Sequence, residues 1–291
     1  MIIQILANSL IVGATYAIVG VSFAVIFMPT RFFNFAHGAI YTLGAYGTLV
    51  ALRRFHFVWP IAVVGGMAAC VSVGLALEFL IYRRLRNRAA SPLVLLLASL
   101  GLYVIIQNGI SLAFGDYIQS IHIGPNKSFD LIGARVTLAQ ILVVLVGVVA
   151  TVFAGVVLVH TRTGKAVRAI AGDATLARIS GIQVERVILV TSAAGSAMAG
   201  LGGILFSLDY GITPTMGLNV LMMGIVAVVV GGVKNIPGIA LAAIVTAMAQ
   251  NFGALLIGSQ WQDAIAFFVL VLYLLLRPVG VFGRITRSTT V

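Results

Sequence analysis

The sequence predicts an all-α polytopic membrane protein, a helical bundle of about eight or nine spans with a short cytoplasmic helix between two central spans. Hydrophobic residues make up 61% of the 291 residues and charged residues only 9%, whereas soluble domains carry roughly 25% charged residues. The mean hydropathy is +1.14. Several apolar runs reach the roughly 20 residues that a helix needs to cross a bilayer. Residues 1–291 are therefore expected to form a single transmembrane domain.

Nine apolar segments follow one another along the chain. The second, seventh and last are short, so one of them can be re-entrant, and the sequence leaves eight and nine crossings open. The segments are about Ile2–Phe27, Met28–Leu52, Val58–Tyr82, Ser91–Phe114, Val136–His160, Val184–Leu208, Val220–Val233, Ile239–Ile257 and Ala264–Leu276.

Basic residues indicate the orientation of these segments. Fourteen of the 18 lysines and arginines fall on the side that includes the loop Thr161–Ile182, and four fall on the other side. Because cytoplasmic loops carry the excess of lysine and arginine, this bias places the N-terminus outside and the C-terminus inside. The net charge of +11 therefore reflects membrane orientation rather than nucleic-acid binding.

Polar residues interrupt the first two segments. Tyr16 lies midway along the first, where it either packs against a neighbouring helix or lines a pore. The run Asn34–Gly38, with sequence NFAHG, opens the second segment. A short, glycine-marked segment with a polar start is typical of the broken helices at transporter binding sites. The alternative is that Asn34 and His37 only cap a helix end at the membrane interface.

Further polar residues lie in the third and fourth segments. Glu78, near the cytoplasmic end of the third, is expected to pair with the arginines of Arg83–Arg88. Gln107 and Asn108 lie within the fourth segment, where polar groups need partners. These two residues are expected either to form interhelical hydrogen bonds or to contact a substrate.

Two local patterns predict further structure. The outer loop after the fourth segment predicts two short strands, Gly115–Gly124 and Phe129–Val136, around a Gly-Pro-Asn turn. The sixth segment carries a small residue at every fourth position, which predicts a face for tight helix packing in lipid. These small residues are Gly195, Ala199, Gly203 and Ser207.

The longest polar interruption is the segment Thr161–Ile182, called the central loop below. Thr163 is expected to cap a helix and Gly181 to end it. Between them, four residues recur at i, i+3, i+4 and i+7 and form one apolar stripe. These four are Val167, Ile170, Ala171 and Ala174. A short amphipathic helix of this kind either docks in a groove of a partner or lies on lipid headgroups, and the pattern leaves both interpretations open.

The motifs of several reaction classes are absent from the sequence. It contains no GxxxxGK[ST] motif that would cradle ATP, no HExxH motif and no GxSxG elbow. The acidic residues lie near span ends or in loops, so no intramembrane proton relay is predicted. We therefore predict no catalytic, cofactor-binding or metal-binding residues. Three interpretations remain: the membrane subunit of a pump with separate ATPases, a stand-alone channel or facilitator, and a structural subunit.

Three stretches resemble a known family. They are NFAHGAIYTLGAY at Asn34–Tyr46, the central loop TRTGKAVRAIAGDATLARISGI, and VAVVVGGVKNIPGIALAAI at Val226–Ile244. The family is that of the inner-membrane permeases of branched-chain amino-acid ABC importers, and the chain is similar to the shorter of its two permease types. The resemblance covers essentially the whole chain in order.

The resemblance implies a multi-pass protein of the bacterial inner membrane that passes a small amino acid, in the first instance a branched-chain one. It implies a second permease subunit, two cytoplasmic ATPases that bind the ATP, and an extracytoplasmic solute-binding protein. The chain itself is then a transport subunit without enzymatic activity or a cofactor. Urea and short-amide importers share the family, so the substrate stays open, as does pairing with a second copy of the chain.

The resemblance also implies that the central loop contacts the ATPases. The general importer loop pattern is only partly present, because Thr175 and Leu176 stand where its Glu and first Ala would be, while Ala177 and Gly181 match. The predicted coupling residues are Gly164, Val167, Arg168, Ile170, Ala171, Asp173, Ala174, Ala177 and Gly181. The predicted residues of a translocation path are Tyr16, Asn34, Phe35, His37, Gly38, Gln107 and Asn108.

Overall fold

Helices account for most of the structure, a computed structural model that describes residues 2–121, 128–131 and 133–276. The helices are α1 (Ile2–Thr30), α2 (Ala36–Arg53), α3 (Trp59–Leu77), α4 (Arg83–Asn87), α5 (Pro92–Phe114), α6 (Leu138–His160), α7 (Arg162–Ile170), α8 (Ala174–Ile179), α9 (Val184–Tyr210), α10 (Met216–Gly231), α11 (Ile236–Ile257) and α12 (Gln262–Leu276). A π-helical turn, Glu78–Tyr82, joins α3 to α4, and a 3-10 turn, Ser259–Trp261, precedes α12.

Seven helical segments within the described ranges are long and apolar enough to cross a membrane. They are α1, α3 continued through α4, α5, α6, α9, α11, and α12 with its preceding 3-10 turn. The remaining two apolar segments form the shorter helices α2, with 18 residues, and α10, with 16. At 1.5 Å per residue these two are about 27 Å and 24 Å long, slightly less than the hydrocarbon core. The number of crossings, eight or nine, stays a prediction.

The two short helices lie at the centre of the bundle. Helix α2 packs against α3, α5, α9 and α10, and α10 packs against α1, α2, α11 and α12. Most residues of both helices are buried. Helices α5, α6 and α12 instead expose many large apolar side chains. The long helices therefore shield the short ones.

Glycines let the central helices approach closely. A Cβ at Gly44 of α2 would overlap the backbone of Gly200 in α9, and one at Gly203 would overlap the carbonyl oxygen of Tyr41. Because lipid provides no hydrophobic driving force between helices, such van der Waals contact carries much of their association. The predicted small-residue face of α9 is confirmed, since it lies buried against its neighbours.

The first helix ends later than the sequence predicts. Helix α1 does not stop near Phe27 but continues through Pro29 to Thr30, and Arg31, with φ +58°, ends it. Proline is tolerated there because only its own missing N–H and the carbonyl one turn earlier are affected. The segment after Arg31 then runs without helical structure to Phe35.

The outer loop also differs from the prediction. Strands β1 (Ser128–Leu131) and β2 (Ala134–Thr137) pair with each other, so the hairpin lies within the second predicted strand and not across the two. Gly133, with φ +85°, occupies its turn. The first predicted strand contributes an isolated bridge between Gln119 and Ile212. The Gly-Pro-Asn turn lies outside the described residues.

We predict that Gly44→Ala lowers the free energy of unfolding by about 1–3 kcal/mol, the usual cost of overpacking. The new methyl group has no room beside the backbone of Gly200. Gly101→Ala is the matched control, because a Cβ at that position on α5 has no other atom within 4 Å. Thermal unfolding of both variants in detergent measures the effect. Equal stability of both variants would contradict the role of close glycine packing.

Candidate functional site

The segment between α1 and α2, Arg31–Phe35, is called the break below. Asn34 is 5% exposed and His37, on the first turn of α2, is 1% exposed. The Tyr82 hydroxyl donates to Asn34 Oδ1 at 3.0 Å, and His37 Nε2 lies 2.8 Å from the Ser22 Oγ. The capping interpretation is therefore wrong: both side chains bond to other helices inside the bundle, and the N-cap residue of α2, Phe35, makes no side-chain cap.

Ser99 of α5 bonds to the backbone of the break. The Phe35 N–H donates to Ser99 Oγ at 3.0 Å. The single proton of the Ser99 hydroxyl is within reach of two carbonyls, that of Leu96 in its own helix at 2.7 Å and that of Phe33 in the break at 3.2 Å. Irregular backbone at membrane depth is tolerated only where protein or water supplies such partners. A Cβ at Gly38 would lie 3.0 Å from the carbonyl oxygen of Gly217, so α10 begins directly against the start of α2. Four helices thus meet at the break.

His37 keeps one unused hydrogen-bonding atom. Its Nδ1 is buried and has no hydrogen-bond partner among the described residues. The ring also packs edge-on against Phe23, with 6.4 Å between ring centroids. A buried polar atom without a partner carries a desolvation cost, so a water molecule or a passing ligand that bonded to Nδ1 would be stabilised there.

An ionic network connects the break to the start of α9. Glu78, 2% exposed, forms an ion pair with Arg86, as the sequence predicts. Arg86 also lies 3.4 Å from Glu185 in the first turn of α9, and Arg83 lies 3.6 Å from the same carboxylate. Glu78 begins the π-helical turn that ends at Tyr82, the partner of Asn34. Such turns are frequent at functional sites.

The central loop forms two helices, so the prediction of one helix between Thr163 and Gly181 is wrong. Thr161, not Thr163, caps α7 by accepting from the Gly164 N–H at 3.0 Å. Asp173 caps α8 by accepting from the backbone N–H groups of Thr175 and Leu176, at 2.8 and 3.0 Å. A short acidic side chain that bonds the backbone ahead of it favours a helix start over a helix interior. Gly181, with φ +84°, follows the end of α8 as predicted.

The predicted apolar stripe faces the membrane bundle. Val167, Ile170 and Ala171 are at most 3% exposed, whereas Ala174 is exposed. The Arg31 guanidinium donates to the Ala171 carbonyl, which attaches the loop to the break. The first three stripe residues therefore anchor the loop and are not free to enter a groove of a partner.

A different apolar surface points away from the bundle. Leu176 is 63% exposed and Ile179 is 81% exposed, both on α8. Ala177, on the opposite side of α8, is buried and packs with Ile170 and Val184. The helix restarts after the Asp173 cap, so an unbroken helical period from Val167 to Ala174 does not predict this surface.

The remaining predicted loop residues lie around these two surfaces. Gly164 is buried against the end of α6, where a Cβ would overlap the backbone of Leu158. The Arg168 guanidinium donates to the Leu158 carbonyl, so this arginine closes the C-terminus of α6. Arg168 thus bonds to the end of α6, and Asp173 bonds to the start of α8. Among the described residues, no contact brings these two side chains together around a common ligand.

The other predicted path residues lie apart from the break. Tyr16 lines a cavity of about 290 Å³ between α1, α9, α10, α11 and the start of α12, called the outer cavity below. Gln107 and Asn108 lie about two turns beyond Ser99 on α5. Asn108 is exposed and donates to the Val104 carbonyl of its own helix at 2.8 Å, so it does not form the expected interhelical bond.

These features define a multi-pass membrane protein with a hydrogen-bonded interior break and a two-helix loop at one end. Among the described residues, no group of three or more His, Cys, Asp or Glu side chains could hold a metal ion. Residues 5–274 match the family described as branched-chain amino acid transport system permease component. The chain belongs to this family of transport permeases.

Curated relatives cover the chain almost completely. The high-affinity branched-chain amino acid transport system permease protein BraD of Pseudomonas aeruginosa is 29% identical, over 97% of this chain and 96% of its own. The corresponding protein LivH of Escherichia coli strain K12 is 28% identical over the same shares. The ribose import permease protein RbsC of Bacillus subtilis is 32% identical over 49% of this chain and 43% of its own.

The ionic network yields a prediction that separates stability from transport. Glu78→Met removes the buried partner of Arg86 and leaves it only the Glu185 carboxylate at 3.4 Å, and we expect a loss of about 1–3 kcal/mol of stability. The double variant Glu78→Met/Arg86→Met removes both charges and is expected to restore most of this loss. If transport requires the network to link α9 to the π-helical turn, we expect the double variant to transport poorly although it is stable. Normal transport by a stable double variant would show that the network contributes to packing and not to transport.

Proposed function

We propose that the chain is the membrane-spanning permease subunit of an ATP-binding-cassette importer for branched-chain amino acids, located in the bacterial inner membrane. The observation that carries this proposal is the match to branched-chain amino acid permeases over nearly the full length of both partners. The chain contributes the path through the membrane. ATP is bound and hydrolysed by separate subunits, and the permease needs no cofactor of its own.

The proposed assembly contains a second permease subunit, two cytoplasmic ATPases and an extracytoplasmic solute-binding protein. Helix α12 supports an assembly of this kind, because only 6% of its spanning window is buried within the chain. Lipid or a second permease subunit then covers its apolar side chains. The outer loops provide the surface that the solute-binding protein would contact.

The break forms the inner part of the proposed route. Asn34 and His37 place polar groups where the surroundings are otherwise apolar, and such groups are costly unless they serve packing or function. Gly38 allows the start of α2 to lie directly against α10, and Phe35 immediately precedes α2. Tyr16 lies in the outer cavity, at the opposite end of this route.

Helix α8 is the proposed contact with the ATPases. Leu176 and Ile179 are the exposed apolar pair that a groove on another subunit could cover, in the way that amphipathic helices bind grooves. The buried residues Val167 and Ala171 make the loop rigid against the bundle. Arg31 then connects the loop directly to the break, so that a displacement of the loop is transmitted to the route.

Reconstitution tests the proposed function. The chain, its second permease, the ATPases and the binding protein are placed in proteoliposomes, and uptake of radioactive L-leucine is measured with and without ATP. We expect uptake that requires both ATP and the binding protein. ATP-independent uptake by this chain alone would identify a facilitator, and uptake of urea but not of leucine would identify the other substrate class of the family.

The exposed face of α8, which carries Leu176 and Ile179, yields a separate prediction. Ala174→Trp and Ile179→Glu place a bulky or charged group on the exposed face of α8, and a mismatch costing about 1–3 kcal/mol weakens binding roughly 5- to 150-fold. Co-purification of the ATPases measures the loss. Ala169→Trp is the matched control, because Ala169 is exposed on α7. Full retention of the ATPases by both α8 variants would contradict docking through α8.

A further inference from the structure

We propose that the outer cavity binds a zwitterionic aliphatic amino acid in transit, with the Asp263 carboxylate receiving its ammonium group. This inference rests on the proposed function and adds a site within the permease itself. Transport of an amino acid through the chain does not by itself require such a site, since a route can pass its substrate without holding it.

The cavity has a buried floor and an open rim. Gln250 and Thr15 are each 3% exposed and lie at the floor, whereas Tyr210 and Asp263 are exposed at the rim. Its volume of about 290 Å³ lies just below the range of roughly 300–1,000 Å³ that is usual for ligand pockets. The cavity therefore suits a single small molecule and excludes a peptide.

The charge of the lining selects for a cation-bearing ligand. Asp263 is the one charged side chain among the described residues that line the cavity. Phe206 and Tyr210 also line the cavity and stack on each other with ring centroids 4.7 Å apart, and aromatic faces attract ammonium groups. Free carboxylates and phosphates, which carry net negative charge, are disfavoured by the same lining.

Amide side chains supply the groups that a ligand carboxylate needs. Asn251 and Gln262 line the cavity and can each donate an N–H. The buried Gln250 amide donates to the Gln262 carbonyl at 3.1 Å and to the Met223 sulfur at 3.4 Å. A thioether is a weak acceptor, so a ligand carboxylate would readily replace it. Gln250 also fixes the start of α12, and with it the position of Asp263.

Part of the lining is an apolar wall. Val12, Val220 and Met223 contribute to it, and methionine adapts readily to neighbouring shapes. A branched aliphatic side chain would contact this wall while its amino and carboxylate groups face the polar side. Urea and short neutral amides offer neither an ammonium group for Asp263 nor a side chain for this wall.

Protection from thiol modification tests the site. The variant Cys70→Ser/Asn219→Cys carries its only cysteine at the rim of the cavity, and the assembled complex is treated with a maleimide. We expect L-leucine to slow modification several-fold, and 4-methylpentanoate, which lacks the ammonium group, to have no effect. Adding Asp263→Asn should abolish protection by leucine. Asp116→Asn, at an outer-loop acid that contacts Ser111, is the matched control and should leave protection intact.

Two results would overturn the site. One is unchanged leucine protection in the Asp263→Asn variant, and the other is equal protection by 4-methylpentanoate. Leucine import by the wild-type complex, together with no protection of the Cys70→Ser/Asn219→Cys variant by leucine, would likewise overturn the site while leaving the proposed function intact. Failure of the wild-type complex to import leucine would instead overturn the proposed function.

Discussion

The structure depends on one constraint: backbone that leaves a helix inside a membrane protein must find its hydrogen-bond partners within the protein. The break between α1 and α2 meets it in part through Ser99, whose hydroxyl oxygen accepts from the Phe35 N–H and lies 3.2 Å from the Phe33 carbonyl. This arrangement requires α5 to lie beside the break and α2 to be buried. Glycine contacts at Gly44 and Gly38 then bring α9 and α10 close enough to enclose it.

The enclosed break is also the place where the other features of the chain converge. Arg31 connects it to the central loop, and Tyr82 connects it to the ionic network at the start of α9. A buried ion pair contributes little net stability compared with apolar packing of the same volume. Glu78 and Arg86 are therefore better explained as a connection between the π-helical turn and the start of α9 than as a source of stability.

The sequence predicted the helical class, the break and the Glu78 pair because each depends on local pattern or on nearby charge. It could not predict the bond between Tyr82 and Asn34, which are 48 residues apart. It also misassigned the face of the central loop, because the Asp173 cap restarts the helix and moves Leu176 and Ile179 to the outside. The sequence did not predict the polar lining of the outer cavity, because Gln250 lies within an otherwise apolar segment. Its contact with Gln262 at the start of α12 becomes visible only in the folded structure.

Thiol accessibility of the break tests the central claim, that this segment lies on the route and moves with the ATPases. In a Cys70→Ser background, Phe35→Cys is treated with a small membrane-impermeant thiol reagent in the assembled complex, without nucleotide and after trapping with ATP and vanadate. The account predicts that the rate of modification differs several-fold between the two states. Equal rates in both states, or no modification in either while Thr175→Cys reacts fully, would contradict it.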